Sequence, residues 1–211
     1  KTTLLLNMLY RLYKNHPCIF FSTETTKERI IESIVSMKLL IPKGKLRLSP
    51  MECEKNVKNR LAELQSNNLY IEDSSSPTYE DIERYAKTIS SRFILIDYFQ
   101  NVSTGTNGQR WVKDGIHQSY ARVVERLAGL AKELKATVVL ASQLKRFGGD
   151  RDQGFPKLDD LKETGKLEEA AHVVMLLHQN HGNLICEIAK NRDGEKGIVE
   201  LKCMWDIGLI I

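Results

Sequence analysis

Two apolar patterns alternate along the chain, one with helical spacing and one running unbroken for a few residues. Leu5, Leu6, Leu9 and Leu12 fall on one helix face, whereas Cys18-Ile19-Phe20-Phe21 is too short for a helix and predicts a buried strand. Thr25-x-x-Glu28 has the form of a capping box and opens an amphipathic helix carrying Ile30, Ile31, Ile34, Val35 and Leu39, closed by Pro42 and Gly44. Cys53, Val57, Leu61 and Leu64 return to helical spacing, and Leu69-Tyr70-Ile71 predicts a strand. Pro77-Thr78-x-x-Asp81 caps a further helix with Ile82, Tyr85, Ala86 and Ile89. Phe93 to Ile96 is an apolar strand that ends in the carboxylate of Asp97. A polar, glycine-containing stretch from Asn101 to Gly115 predicts a loop, and Val123, Val124, Leu127, Leu130, Ala131 and Leu134 form the strongest helical stripe. Thr137 to Ala141 is again a strand, ended by Ser142-Gln143, and Leu144 to Pro156 a second loop.

The last third changes character. His172 to Leu177, Leu184 to Ala189 and Gly197 to Met204 are strands separated by His181-Gly182-Asn183 and Asp193-Gly194, which predicts antiparallel hairpins. Before them, strands alternating with helices predict an α/β fold with a mainly parallel sheet. Such sheets bind ligands beyond the carboxyl ends of their strands. Polar residues fall at those ends: Ser22-Thr23-Glu24, Asp97 and Gln143.

Composition narrows the class. With 211 residues, 42% hydrophobic and 27% charged, the chain is of ordinary globular make-up, which excludes disordered, collagenous and coiled-coil classes and suits one domain over 1–211. A formal charge of +4 is too small to argue for nucleic acid by itself. No apolar run approaches the ~18 residues of a membrane helix and no signal peptide opens the chain, so the expectation is a soluble cytoplasmic protein without a membrane partner. Cys18, Cys53, Cys186 and Cys203 are widely spaced and read as reduced core residues. His178 and His181 lack neighbouring Cys or carboxylate partners, so no zinc site is expected. The opening Lys1-Thr2-Thr3, without a methionine, reads as a fragment of a longer chain.

Several short features carry candidate chemistry. Lys1-Thr2-Thr3 before an apolar helix matches the tail of G-x-x-x-x-G-K-[ST], in which lysine reaches the β- and γ-phosphates and the hydroxyl holds Mg²⁺. It also reads as a plain helix start. Asp97 fits an acid that holds Mg²⁺, or a turn former; Glu24 fits the base that activates water, or a helix-opening carboxylate. Arg110, Trp111 and Lys113 form a basic-aromatic cluster suited to a single strand, or a tryptophan anchoring its own loop. Lys190 and Arg192 beside Asp193-Gly194 suit a solvated hairpin end as well as a site.

Taken in order, Ser22-Thr23-Glu24-Thr25, Ile94 to Gln100, Ala141 to Arg146, Asp160-Leu161-Lys162-Glu163-Thr164-Gly165 and Ala189 to Gly194 resemble the motifs of the DnaB-type replicative helicases, from Lys1 to about Trp205. The resemblance implies a RecA-like P-loop ATPase domain lacking its first strand and most of its phosphate loop. It further implies a homo-hexameric ring that uses ATP and Mg²⁺ to unwind duplex DNA 5′-to-3′ while moving on single-stranded DNA, in company with a primase and a helicase loader. By the same resemblance, Lys1, Thr2 and Thr3 hold the nucleotide, Thr2 and Asp97 the Mg²⁺, Glu24 is the catalytic base and Gln143 senses the γ-phosphate. Lys190 and Arg192 would reach the neighbouring subunit's ATP, and Lys162, Glu163, Gly165, Arg110 and Lys113 would face DNA. Lys162 and Thr164 depart from the arginine and serine usual in the family; lysine keeps the charge and loses bidentate geometry. A RadA/RecA-like recombination ATPase and a non-catalytic strand-binding or ring-assembly module remain as alternatives.

Overall fold

A computed structural model describes residues 1–48, 68–103, 116–144, 155–161, 165–180 and 182–211. Strands β1 (Cys18–Ser22), β2 (Leu69–Glu72), β3 (Phe93–Asp97) and β4 (Thr137–Leu140) form a parallel sheet in the order β2-β1-β3-β4. Its register aligns Ser22 with Asp97 and Ile96 with Leu140, so the strand ends that carry the polar residues finish level with one another. Helices α1 (Thr2–Leu12), α2 (Lys27–Leu39), α3 (Lys43–Leu48), α4 (Tyr79–Thr88) and α5 (Ile116–Leu134) accompany it.

Side-chain alternation in the central strands builds two cores. Ile19, Phe21, Ile94 and Ile96 pack with Ile82 and Ala86 of α4 and with Val123, Val124 and Leu127 of α5. Phe20 and Leu95, the intervening residues, pack with Leu5, Leu6 and Leu9 of α1 and with Ile30, Ile34 and Val35 of α2. Both faces of β1 and β3 are therefore covered, which is why these strands are unbroken apolar runs. The fully buried Ile, Leu and Phe side chains among them each contribute ~1.5–3 kcal/mol of transfer free energy.

Helix ends divide into those set locally and those set at long range. Thr78 caps α4 as expected: its hydroxyl accepts the Asp81 N–H at 3.1 Å, while the Asp81 carboxylate accepts the Thr78 N–H at 3.1 Å. The box expected at Thr25 and Glu28 does not form. α2 starts one residue later than that box requires, with Thr26 as N-cap and no side-chain capping bond from it. Thr25 is instead held in a turn by Ser22, whose hydroxyl accepts the Thr25 N–H at 3.1 Å. The start of α2 is satisfied by Asp73, just past β2, whose carboxylate accepts the Lys27 N–H at 2.9 Å. Nor do Pro42 and Gly44 close α2. The helix ends at Leu40, in the left-handed region at φ 56°, while Pro42 leads into α3 and Gly44 lies within it.

The C-terminal third forms a separate antiparallel sheet of β5 (Val173–Asn180), β6 (Asn183–Asn191) and β7 (Gly197–Leu201), followed by the short pair β8 (Cys203–Met204) and β9 (Leu209–Ile210). The tight β5–β6 connection places Gly182 at φ +87°, where a side chain would be strained. Ahead of this sheet lies Asp160. It ends a 3₁₀ turn from Leu158, buried, with its carboxylate accepting the Lys157 N–H at 2.8 Å. A short helix, α6 (Gly165–Ala170), follows. Cys18 and Cys186 are buried and Cys203 half-buried, all three free; Cys53 lies outside the described residues.

Candidate nucleotide site at the ends of the parallel strands

The start of α1 meets the end of β3. The Thr2 hydroxyl donates to Oδ2 of Asp97 at 2.6 Å, a short bond of the kind a charged acceptor favours, and Asp97 is only 4% exposed. The apolar run Phe93 to Ile96 ends here because the next residue, Asp97, meets the Thr2 hydroxyl. The Lys1 ammonium sits 5.2 Å from the centre of the Tyr98 ring. Burial on that side lowers its pKa, and the nearby carboxylates of Asp97 and then Glu24 pull it back up. A hydroxyl, a buried carboxylate and a partly desolvated lysine thus converge at one strand end.

The neighbouring strand ends are tied to this point. Past β1, the Thr23 N–H donates to the Asp97 carbonyl at 2.8 Å, extending the ladder by one residue. The Thr23 hydroxyl donates to the same carbonyl at 3.1 Å and accepts the Tyr98 N–H at 3.2 Å and the Asn101 side-chain amide at 3.0 Å. Glu24 follows Thr23 directly and is exposed, free to meet water or ligand. Past β4, the Phe99 N–H donates to the Ala141 carbonyl at 2.9 Å. Gln143 then receives the Gln100 side chain, whose Oε1 accepts the Gln143 N–H at 3.2 Å. A cavity of about 200 Å³ opens beside Thr2 and Thr3, with Arg29, Lys43 and Gly208 among its walls.

The structure therefore brings Lys1, Thr2, Thr3, Glu24, Asp97 and Gln143 to one edge of the sheet. Lys190 and Arg192 are elsewhere, near the end of β6: Lys190 donates to the carbonyls of Glu168 and Glu169, and Arg192 to that of Glu169. Gly165 is exposed at the start of α6. Lys162, Glu163, Arg110 and Lys113, with Trp111 and His181, lie outside the described residues, and His178 packs against Phe155 at 4.8 Å. Sequence reasoning assigned no role to Thr23, Gln100 or Asn101. The signal was present in that Gln100-Asn101 is a polar pair set between two buried apolar residues, Phe99 and Val102, just past the strand.

These features define a RecA-like ATPase fold. A solved ATPase domain superposes over 100% of this chain and 80% of its own, with a TM-score of 0.88 at 22% identity. A DnaB-like replicative helicase, solved in a study of its interactions with primase, gives a TM-score of 0.87 at 22% identity over 99% of this chain and 54% of its own. The chain belongs to the DnaB-like helicase C terminal domain family, whose model matches residues 1–207. It is 32% identical over 172 residues to the replicative DNA helicase DnaB of Mycobacterium leprae, covering 76% of this chain and 27% of that protein. With the replicative DNA helicase DnaB of Leifsonia xyli subsp. xyli it shares 28% over 218 residues, 95% of this chain and 47% of that protein. The chain thus spans about half or less of these curated relatives. Among the described residues, no helix is long and apolar enough to cross a membrane.

Proposed function

We propose that this chain is the ATP-driven motor of a replicative DNA helicase, acting as one unit in a homo-hexameric ring that moves 5′-to-3′ on single-stranded DNA in the cytoplasm. The observation that carries this reading is the Thr2–Asp97 hydrogen bond at the end of β3, flanked by Glu24 just past β1 and Gln143 beyond β4, within a chain of this family. Family membership favours it over a recombination ATPase or a non-catalytic module.

The donor set fits Mg²⁺, because a hydroxyl and a buried carboxylate within hydrogen-bond distance of each other are the hard oxygen ligands that this ion prefers. When bound, the ion neutralises charge developing on the β- and γ-phosphate oxygens. Lys1 supplies a positive charge to the same phosphates. Glu24 accepts a proton from the water that attacks the γ-phosphorus, while the bond to the ADP oxygen breaks. Gln143 senses whether the γ-phosphate is present. Lys190 and Arg192 complete the site of the neighbouring subunit, giving up their bonds to Glu168 and Glu169 to stabilise the transferring phosphoryl group. Gly165, Lys162, Glu163, Arg110 and Lys113 contact the strand. The solved relative's interactions with primase support a primase as partner, and a loader would place the ring on DNA.

The test is unwinding of a forked duplex by the full-length protein. Glu24→Gln should bind nucleotide and DNA yet lose turnover, and Arg192→Ala should lose ATPase activity but regain it in rings mixed with Glu24→Gln subunits. Retained turnover in Glu24→Gln removes that residue as the base, and failure of the mixed rings counts against a role across the subunit boundary.

A further inference from the structure

Gln100 lies three residues past Asp97, in the segment that leaves β3. It reaches sideways to the next strand. Its Oε1 accepts the Gln143 N–H at 3.2 Å, and its Nε2 donates to the Ser142 hydroxyl at 2.8 Å and to the Gln143 carbonyl at 3.5 Å. A side-chain amide, with one acceptor and two donors, thus replaces the backbone partner that Gln143 would have had if β3 continued. Gln100 is itself fastened, since the Tyr120 hydroxyl of α5 donates to its carbonyl at 2.7 Å and the Tyr120 ring packs on Phe99 at 5.4 Å. Among the described residues, the last backbone bond between the two segments is Phe99 N–H to the Ala141 carbonyl. Beyond it, the bonds between Gln143 and the β3 exit run through the Gln100 amide.

We propose that Gln100 is a positioning residue that couples Gln143 to the exit of β3, three residues past Asp97. A shift of the β3 exit on loss of the γ-phosphate is carried by the Gln100 amide to the backbone of Gln143, and the reverse shift sets Gln143 against the next ATP. The coupling rests on the reading of Gln143 as the γ-phosphate sensor. On the opposite flank, Thr23 and Asn101 hold the same exit to the strand that leads into Glu24, so the three strand ends move as one framework.

The experiment uses the full-length ring with Gln100→Met, which keeps length and volume and removes the amide. Its kcat for ATP should fall on the order of ten- to a hundred-fold, the cost of an ångström-scale misplacement, with KM for ATP unchanged. Combined with Gln143→Ala, it should add no further loss, because both substitutions break one unit. Amide hydrogen exchange in Gln100→Met should accelerate more at Gln143 than at the core amides of β3 such as Leu95, and Gln100→Glu, which keeps the Oε1 acceptor, should retain the Gln143 protection. Multiplying losses in the double variant, or a kcat that falls only as far as the melting temperature does, overturns the coupling. Unchanged exchange at Gln143 overturns the tie by itself, and full activity in Gln143→Ala overturns the sensor reading beneath it.

Discussion

Thr23→Val replaces a hydroxyl by a methyl of similar volume at a residue only 8% exposed, so the loss is one of hydrogen bonds rather than of packing. The hydroxyl donates to the Asp97 carbonyl and accepts from the Tyr98 N–H and the Asn101 amide. Losing the donated bond costs about 1 kcal/mol net, and a buried orphaned donor costs ~1–3 kcal/mol. Tyr98 and Asn101 are half-buried and regain part of their hydration, which puts each at the low end, about 1 kcal/mol. The expected total is about 3 kcal/mol, which for a chain of this length lowers Tm by roughly 6–12 °C. The assay is thermal unfolding followed by far-UV circular dichroism at fixed protein concentration. Thr23→Ser is the control, because it keeps the hydroxyl and gives up only a methyl. A fall of less than about 2 °C for the valine variant, or serine and valine variants that melt together, refutes the claim that this hydroxyl fastens the β1 and β3 ends.

Two further expectations concern stability and reactivity. The Asp81 carboxyl is held below its usual range, first by the Thr78 hydroxyl and then by the Thr78 backbone and Arg84, while burial acts in the opposite direction. A carboxyl depressed on folding stabilises above its unfolded pKa and loses that contribution as pH falls through the folded value. Thr78→Ala should cost ~1 kcal/mol at neutral pH in urea unfolding through the lost cap, and its gap to the parent should narrow, without vanishing, as pH falls below ~4, because the cap bond to the Asp81 N–H does not titrate. Burial pushes the Cys18 thiol up to about 12, so in the folded protein at pH ~8 it should resist iodoacetamide while the unfolded chain reacts. Rapid alkylation of Cys18 in the native state would show that β1 opens far more readily than its packing allows.

The capping of α4 was legible because Thr78 and Asp81 satisfy each other within one turn, and no other part of the molecule is needed. The ends of α2 were not legible, for the opposite reason. Its N-terminal N–H is met by Asp73, 46 positions away, and its C-terminus turns at a left-handed leucine rather than at a glycine or proline. Thr25-x-x-Glu28 carries the right residue types for a box, but Ser22 takes Thr25 into a turn first.

The candidate site divides along the same line. By itself the sequence determined the alternation of strands and helices, the acid ending an apolar strand, and the ordered polar residues at three strand ends, since each depends on chain neighbours and on a period of about 2 or 3.6 residues. Only the tertiary structure decided that β1, β3 and β4 lie side by side in register, so that Thr2 meets Asp97 across 95 positions and Gln100 meets Gln143 across 43. It also decided that Lys190 and Arg192 rest on the carbonyls of α6 and not beside Asp97. Local periodicity states which face of a strand is apolar. Which strand lies next to it depends on burying both faces of the sheet at once, a condition spread over the whole chain.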